Sequence, residues 1–190
     1  DKTAKESNYT VSKTLGTLTV TEQSITPDPE KPESYKGVTV NNPSNVVYSG
    51  VEQKWTPAVA DKDGNALKAG TDYTVSYSED TKNVGEVTVT ITGAGNYTGT
   101  VTRTYQITPA ALTVTTQGAS KVYDGTALKA AGTVTGFVNG ETATFTTTGS
   151  QTKAGSSENT YSLTWDKTAK ESNYTVSKTL GTLTVTEQSI

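Results

Sequence analysis

The chain contains no cysteine, no histidine and no methionine. Without His there is no Ser-His or Cys-His nucleophile system, and the usual zinc site is also excluded. Aromatic residues are only 7% of the chain, with two Trp and two Phe, so any core must be built from Val, Ile, Leu and the ten Tyr. Hydrophobic residues reach 32%, below the usual globular share. No apolar run is long enough to span a bilayer and no charged-then-apolar leader is present, which fits an internal fragment of a longer protein. Basic residues are few as well: 16 Lys and Arg against 19 Asp and Glu give a net charge of −3 and a pI near 5.0. The lysines are scattered, so no basic field exists to neutralise phosphates. Nucleic acid is excluded as a partner, and no membrane contact is expected within this segment.

What is present is repetition. Residues 1–25 read DKTAKESNYTVSKTLGTLTVTEQSI and return unchanged at 166–190, a period of 165 residues. Identity of that length points to a window on a tandem array, and near-identical long repeats serve length and display more readily than catalysis.

Thr makes up about a fifth of the chain, and a β-branched hydroxyl residue suits the solvent face of a strand. Tyr73, Val75 and Tyr77 alternate with Thr74 and Ser76; Val87, Val89 and Ile91 alternate with Thr88, Thr90 and Thr92. This period of two predicts strands with one apolar face. Gly93-Ala94-Gly95-Asn96 supplies turn residues before Val101, Tyr105 and Ile107 resume the alternation, so 87–107 reads as a long hairpin, and residues 61–65 read as another turn. The second half repeats the plan. Val47-Tyr48-Ser49-Gly50 is echoed by Val122-Tyr123-Asp124-Gly125, and Asn96-Tyr97-Thr98 by Asn173-Tyr174-Thr175. Short insertions between the copies centre on 156–160.

The expected organisation is all-β: two β-sandwiches end to end, residues 38–108 and 109–190, with no helix beyond a turn or two. Residues 1–25 are expected to be the closing part of a preceding repeat's domain. They should adopt the shape of 166–190, with Tyr9, Val11, Leu18 and Val20 turned toward strands outside the chain. Residues 26–37, with Pro27, Pro29 and Pro32, are expected to form a linker more mobile than the short joint at 108–111. Val75, Val89, Ile91, Val114, Leu163, Trp165 and Val185 should be buried, and Thr88, Thr90, Thr184 and Thr186 exposed.

The Val-Tyr-Asp-Gly-Thr run at 122–126 resembles YDG-type repeats. Tyr48-Ser49-Gly50, Gly70-Thr71-Asp72-Tyr73 and Gly93-Ala94-Gly95-Asn96-Tyr97-Thr98-Gly99 resemble the related MBG-type bacterial immunoglobulin-like repeats. On that resemblance 38–108 is of MBG type and 109–190 of YDG type, although the latter reads Ser172-Asn173-Tyr174-Thr175-Val176 where the pattern has Gly-Asn-Tyr-Thr-Gly. The resemblance implies extracellular immunoglobulin-like β-sandwiches strung along large adhesin-like proteins, and it brings no catalytic residue. The lack of cysteine is common in cytosolic proteins and equally describes a Gram-positive cell surface, whose proteins generally avoid disulfides.

Some residue groups have the types that site chemistry needs. Asp61, Asp63 and Asn65 resemble the start of a calcium loop, but no bidentate Glu stands at the needed distance beyond them, and a hairpin turn accounts for them. Glu79 with Asp80, or Glu141 with Glu171, has the residue types of a glycosidase pair, but nothing positions them and exposed loop charges are the favoured explanation. Tyr48, Tyr97, Tyr123 and Tyr174 occupy matched positions, which favours core packing over stacking on sugars. Neither closing strand, 100–108 or 180–187, offers an Asn or Asp acceptor for an isopeptide bond, so no cross-link is expected. No catalytic residue, metal or cofactor is expected. The sequence points to a structural repeat of a cell-wall-anchored adhesin or filament stalk, whose partners are neighbouring repeats. The alternative is a weak glycan- or mucin-binding module acting through avidity.

Overall fold

The computed structural model describes residues 10, 12–26 and 37–190; Tyr9, Val11 and the prolines at 27, 29 and 32 lie outside the described residues. Among the described residues the chain is all-β, with one short 3-10 turn at Glu171–Asn173 and no helix long and apolar enough to cross a membrane.

The first unit is built on the predicted hairpin. β6 (Gly85–Gly93) and β8 (Thr100–Thr108) pair antiparallel from Gly85↔Ile107 to Thr92↔Thr100. β5 (Tyr73–Tyr77) flanks β6, and β3 (Val46–Val47) lies parallel to β8 on the other side. Alternation places Val87, Val89 and Ile91 of β6 and Val101, Tyr105 and Ile107 of β8 on one buried face. Each such side chain contributes roughly 1.5 to 3 kcal/mol by leaving water. β2 (Thr39–Val40) and β4 (Val59–Ala60) form a small antiparallel pair.

Residues 23–26 also belong to this unit. β1 (Gln23–Ser24) runs parallel to β7 (Tyr97–Thr98), held by Gln23 N–H on Asn96 O (2.9 Å) and Ile25 N–H on Thr98 O (2.8 Å). The Ile25 side chain is fully buried in the core beside Val38. The Pro-rich stretch expected to act as a linker lies, from 27 to 36, outside the described residues.

In the second unit two long strands run side by side and break together. β9 (Ala110–Thr116) continues through Gln117-Gly118 into β10 (Ala119–Val122), and β15 (Tyr174–Thr179) continues through Leu180-Gly181 into β16 (Thr182–Thr186). They are parallel in one register, Ala110↔Tyr174 before the break and Ala119↔Leu183 after it. At the crossing, a Cβ on Gly181 would stand 2.2 Å from the Gln117 carbonyl carbon, so only glycine fits. β11 (Gly132–Thr135) pairs with β9, β12 (Thr144–Thr147) with β14 (Tyr161–Thr164), and β13 (Gly155–Glu158) with β16. Asn159, fully buried, secures the break: its side-chain amide donates to Gln117 O and Ala130 O (3.0 Å each), and its backbone carbonyl oxygen accepts the Thr116 hydroxyl at 2.7 Å.

Val89, Ile91, Val114 and Val185 are buried as the alternation predicts. Val75 and Leu163 are only half-buried, because β5 and β14 are edge strands, and Trp165 just past β14 is half-buried with them. Thr186 is exposed, but Thr88, Thr90 and Thr184 are half-covered, since β6 and β16 have neighbours on both sides.

The repeated segment behaves differently at its two ends. Leu183 and Val185 on β16 are 0% and 2% exposed between β10 and β13; their sequence twins Leu18 and Val20 are 98% and 97% exposed. Residues 17–21 form no strand here, although 182–186 do, so the expectation of one shared shape fails for this stretch. Ladder partners make the difference: the chain contains one copy of β10 and β13, and 182–186 uses it.

Candidate functional site

The most constructed polar site lies where the units meet. Only Pro109 separates β8 from β9, and one apolar core runs through the joint, linking Tyr48, Val59 and Ile107 with Ala110, Leu112, Ala169 and Tyr174. At its centre is Glu141, a buried carboxylate. Asn139 and Gly140 both have positive φ, and Glu141 N–H closes the turn on Val138 O (2.9 Å), so the Asn-Gly turn delivers Glu141 inward. One carboxylate oxygen accepts the Tyr48 hydroxyl of the first unit at 2.5 Å; the other accepts the Tyr174 hydroxyl of the second at 2.6 Å. These lengths are those of hydroxyls donating to a carboxylate. The rings meet edge to face with centroids 5.7 Å apart, and Tyr174 also stacks on Trp165 at 5.8 Å and meets Phe137 at 5.4 Å.

Two further contacts cross the joint. Asn139 donates to Gly50 O at 3.0 Å, and Gly50, at φ +78°, has no room for a side chain because a Cβ would lie 2.5 Å from Asn139 Cβ. Buried Asn173 accepts Val84 N–H (3.0 Å) and donates to Asn83 Oδ1 (2.8 Å). Asn83 is itself held by Asp80, whose carboxyl is pulled down to about 2 by hydrogen bonds from the Asn83 backbone and side chain.

Burial first, and then the bond to Glu141, pushes both phenols from 10.0 up to about 12. A folded-state pKa above the unfolded value means that their contribution is complete below pH 10 and is lost as pH rises toward 12. Phenolate absorbance should therefore show a late phase from Tyr48 and Tyr174, with the joint opening between pH 10 and 12. Removing them as Tyr48→Phe and Tyr174→Phe should delete that late phase. A chain that stays folded while all its tyrosines ionise together near pH 10 would contradict this.

The structure separates the residues singled out in the sequence. Both Asp61 oxygens are occupied within their own turn, by the Asp63 and Asn65 backbone amides and the Asn65 side chain, while Asp63 pairs with Lys62. No cluster of three His, Cys, Asp or Glu that could hold a metal is found among the described residues. Glu79 and Glu171 are exposed; Glu141, read as an exposed loop charge, is instead buried in the joint. The expectation that all four matched tyrosines pack inside is corrected too. Tyr48 and Tyr174 are buried, Tyr97 is half-buried and Tyr123 is 44% exposed. Each motif pair is split because the joint takes one member from each unit and leaves the other at an outer end. An open groove of about 470 Å³ runs along β14 and β15, lined by Tyr161, Leu163, Trp165, Glu171, Val176 and Lys178 among others.

Residues 112–184 match the MBG domain (YGX type). The match falls within the second unit and is consistent with the resemblance to MBG-type repeats, there on the unit whose sequence reads as YDG type. Comparison with curated proteins gave no match.

Proposed function

We propose that this chain, whose second unit carries the MBG match, is a structural repeat of an extracellular bacterial surface protein, an adhesin or filament stalk in which immunoglobulin-like units stand end to end and carry a binding region away from the cell. The observation that carries this reading is the joint at Pro109: strand runs into strand with one residue between, and the core and the Glu141 clamp continue across it. Such a joint transmits direction, as a spacer requires. Strands of about ten residues at roughly 3.3 Å each make units of some 30 to 40 Å, so each 165-residue repeat adds on the order of 70 to 80 Å. Electron microscopy of chains with one, two and three repeats should show contour length rising by that increment; a length that fails to grow with repeat number would overturn the reading.

The rival reading is weak glycan or mucin binding multiplied by avidity. It is favoured by one observation, the groove that sets Tyr161 and Trp165 near Glu171 and Lys178. Tryptophan fluorescence titrated with mucin-type glycans separates the two: a spacer leaves the signal flat, and a saturable change that Trp165→Ala removes would favour binding.

A further inference from the structure

Ile25 is fully buried in the first unit, whereas its twin Ile190 is fully exposed at the far end of the second. The two isoleucines end the same 25-residue sequence, and Ile25 is followed by a first unit whereas Ile190 is the last residue of the chain. The segment before Ile25 shows how that sequence behaves beside a first unit: it adds Gln23–Ser24 as a parallel strand on Tyr97–Thr98 and inserts Ile25 into the core.

An open groove lies at each end of the chain, and the two share residues of the repeated segment. At the far end of the second unit, Tyr123, Lys153, Ala154 and residues 187–190 line an open groove of about 710 Å³, with Val122 exposed beside it. At the near end of the first unit, Val20, Glu22, Gln23, Asn96 and Tyr97 line another of about 360 Å³. Residues 187 and 188 of the one are residues 22 and 23 of the other in the repeated sequence. Overlaying the shared segment sets Tyr123 of one repeat and Tyr97 of the next on the same two residues. These are the two matched tyrosines that the joint inside the chain leaves unused, Tyr48 and Tyr174 being taken there.

We infer that the far end of the second unit docks the first unit of a following copy of the same repeat: residues 188–189 pair with that copy's Tyr97–Thr98 edge and Ile190 fills its core. The inference rests on the tandem stalk reading and deepens it. Successive repeats are then clamped, with only Glu187 between the end of β16 and the docking strand. The two joints differ in chemistry. The first unit has Thr71 after Gly70 where the second has Glu141 after Gly140, so the joint between repeats is formed without that carboxylate.

The test uses the full chain lengthened by one further repeat, with the exposed Lys129→Cys in the first copy and Lys68→Cys in the second as the only two thiols for spin labels. A single narrow distance distribution is expected. Ile190→Asp, internal in the longer chain, should broaden it and lower the unfolding midpoint, while the same substitution in the 190-residue chain should leave the midpoint unchanged. Tyr123→Ser, already exposed and so harmless to folding, should broaden it as well. A broad distribution in the unsubstituted chain, or a narrow one that survives both substitutions, overturns the inference. A narrow distribution in a chain that also binds glycan saturably would remove the pure spacer reading and leave the docked joint standing.

Discussion

Leu183→Ala is expected to destabilise the 190-residue chain by about 2 to 5 kcal/mol, and Leu18→Ala to change its stability by less than about 0.5 kcal/mol. The two leucines share identical neighbours for seven residues downstream and seventeen upstream, so local propensity cannot distinguish them. Burial does: Leu183 is enclosed between Ala119 and Ser157 of the flanking strands, and Leu18 faces solvent. A loss of that size corresponds to a fall in melting midpoint of roughly 4 to 20 °C in a chain of this length. The glycine twins give a second pair. Gly181→Ala forces a Cβ into the backbone of Gln117-Gly118, whereas Gly16→Ala meets nothing within 4 Å. Thermal unfolding of the four variants is sufficient. Equal losses within either pair would mean that residues 12–26 are packed as tightly as 177–190, and the reading of the first segment as a strand awaiting its ladder would fall.

Much of this fold is legible in the residues because a period of two is a local signal. The β6–β8 hairpin, its Gly93–Asn96 turn and the Asp61 turn all follow from alternation and turn chemistry within a few positions. The parallel pairing of β9–β10 with β15–β16 is not legible: it joins residues 64 apart in one register, and no short pattern records that distance. Residues 156–160 read as an insertion, yet they hold most of β13 and the buried Asn159, whose role exists only once Thr116, Gln117 and Ala130 surround it. The tyrosine motifs mislead for a related reason. Their symmetry in sequence is real, but a joint is asymmetric and buries one member of each pair. Glu141 comes after an Asn-Gly turn signal and reads as a loop charge. The one hint against that is Phe137-Val138 immediately before the turn, which anchors the loop against the core and so aims the residue after it inward.

Removing that carboxylate should have the largest effect on the joint. Glu141→Ala leaves two buried phenol hydroxyls without an acceptor, at about 1 to 3 kcal/mol each, so a loss of about 3 kcal/mol or more is expected. Glu141→Gln preserves the shape and one acceptor oxygen but places an amide donor against the other hydroxyl, and should cost less. Tyr48→Phe breaks the bond between units, while Tyr174→Phe breaks two bonds within the second unit, its donation to Glu141 and the one it accepts from Val138 N–H at 3.2 Å. Their comparison apportions the clamp between the joint and the fold of its own unit. If Glu141 acts through these two bonds, its removal and that of the hydroxyls will not add. Glu141→Leu combined with both Phe substitutions should recover much of the stability lost in Glu141→Ala, since it leaves only the Val138 N–H without its acceptor. Denaturant unfolding measures each term, and a spin-label pair across Pro109 reports whether the units still hold one orientation. A triple variant no more stable than Glu141→Ala would show that the carboxylate supports the fold by another route, and a distance distribution unbroadened by Tyr48→Phe would show that the core alone holds the joint.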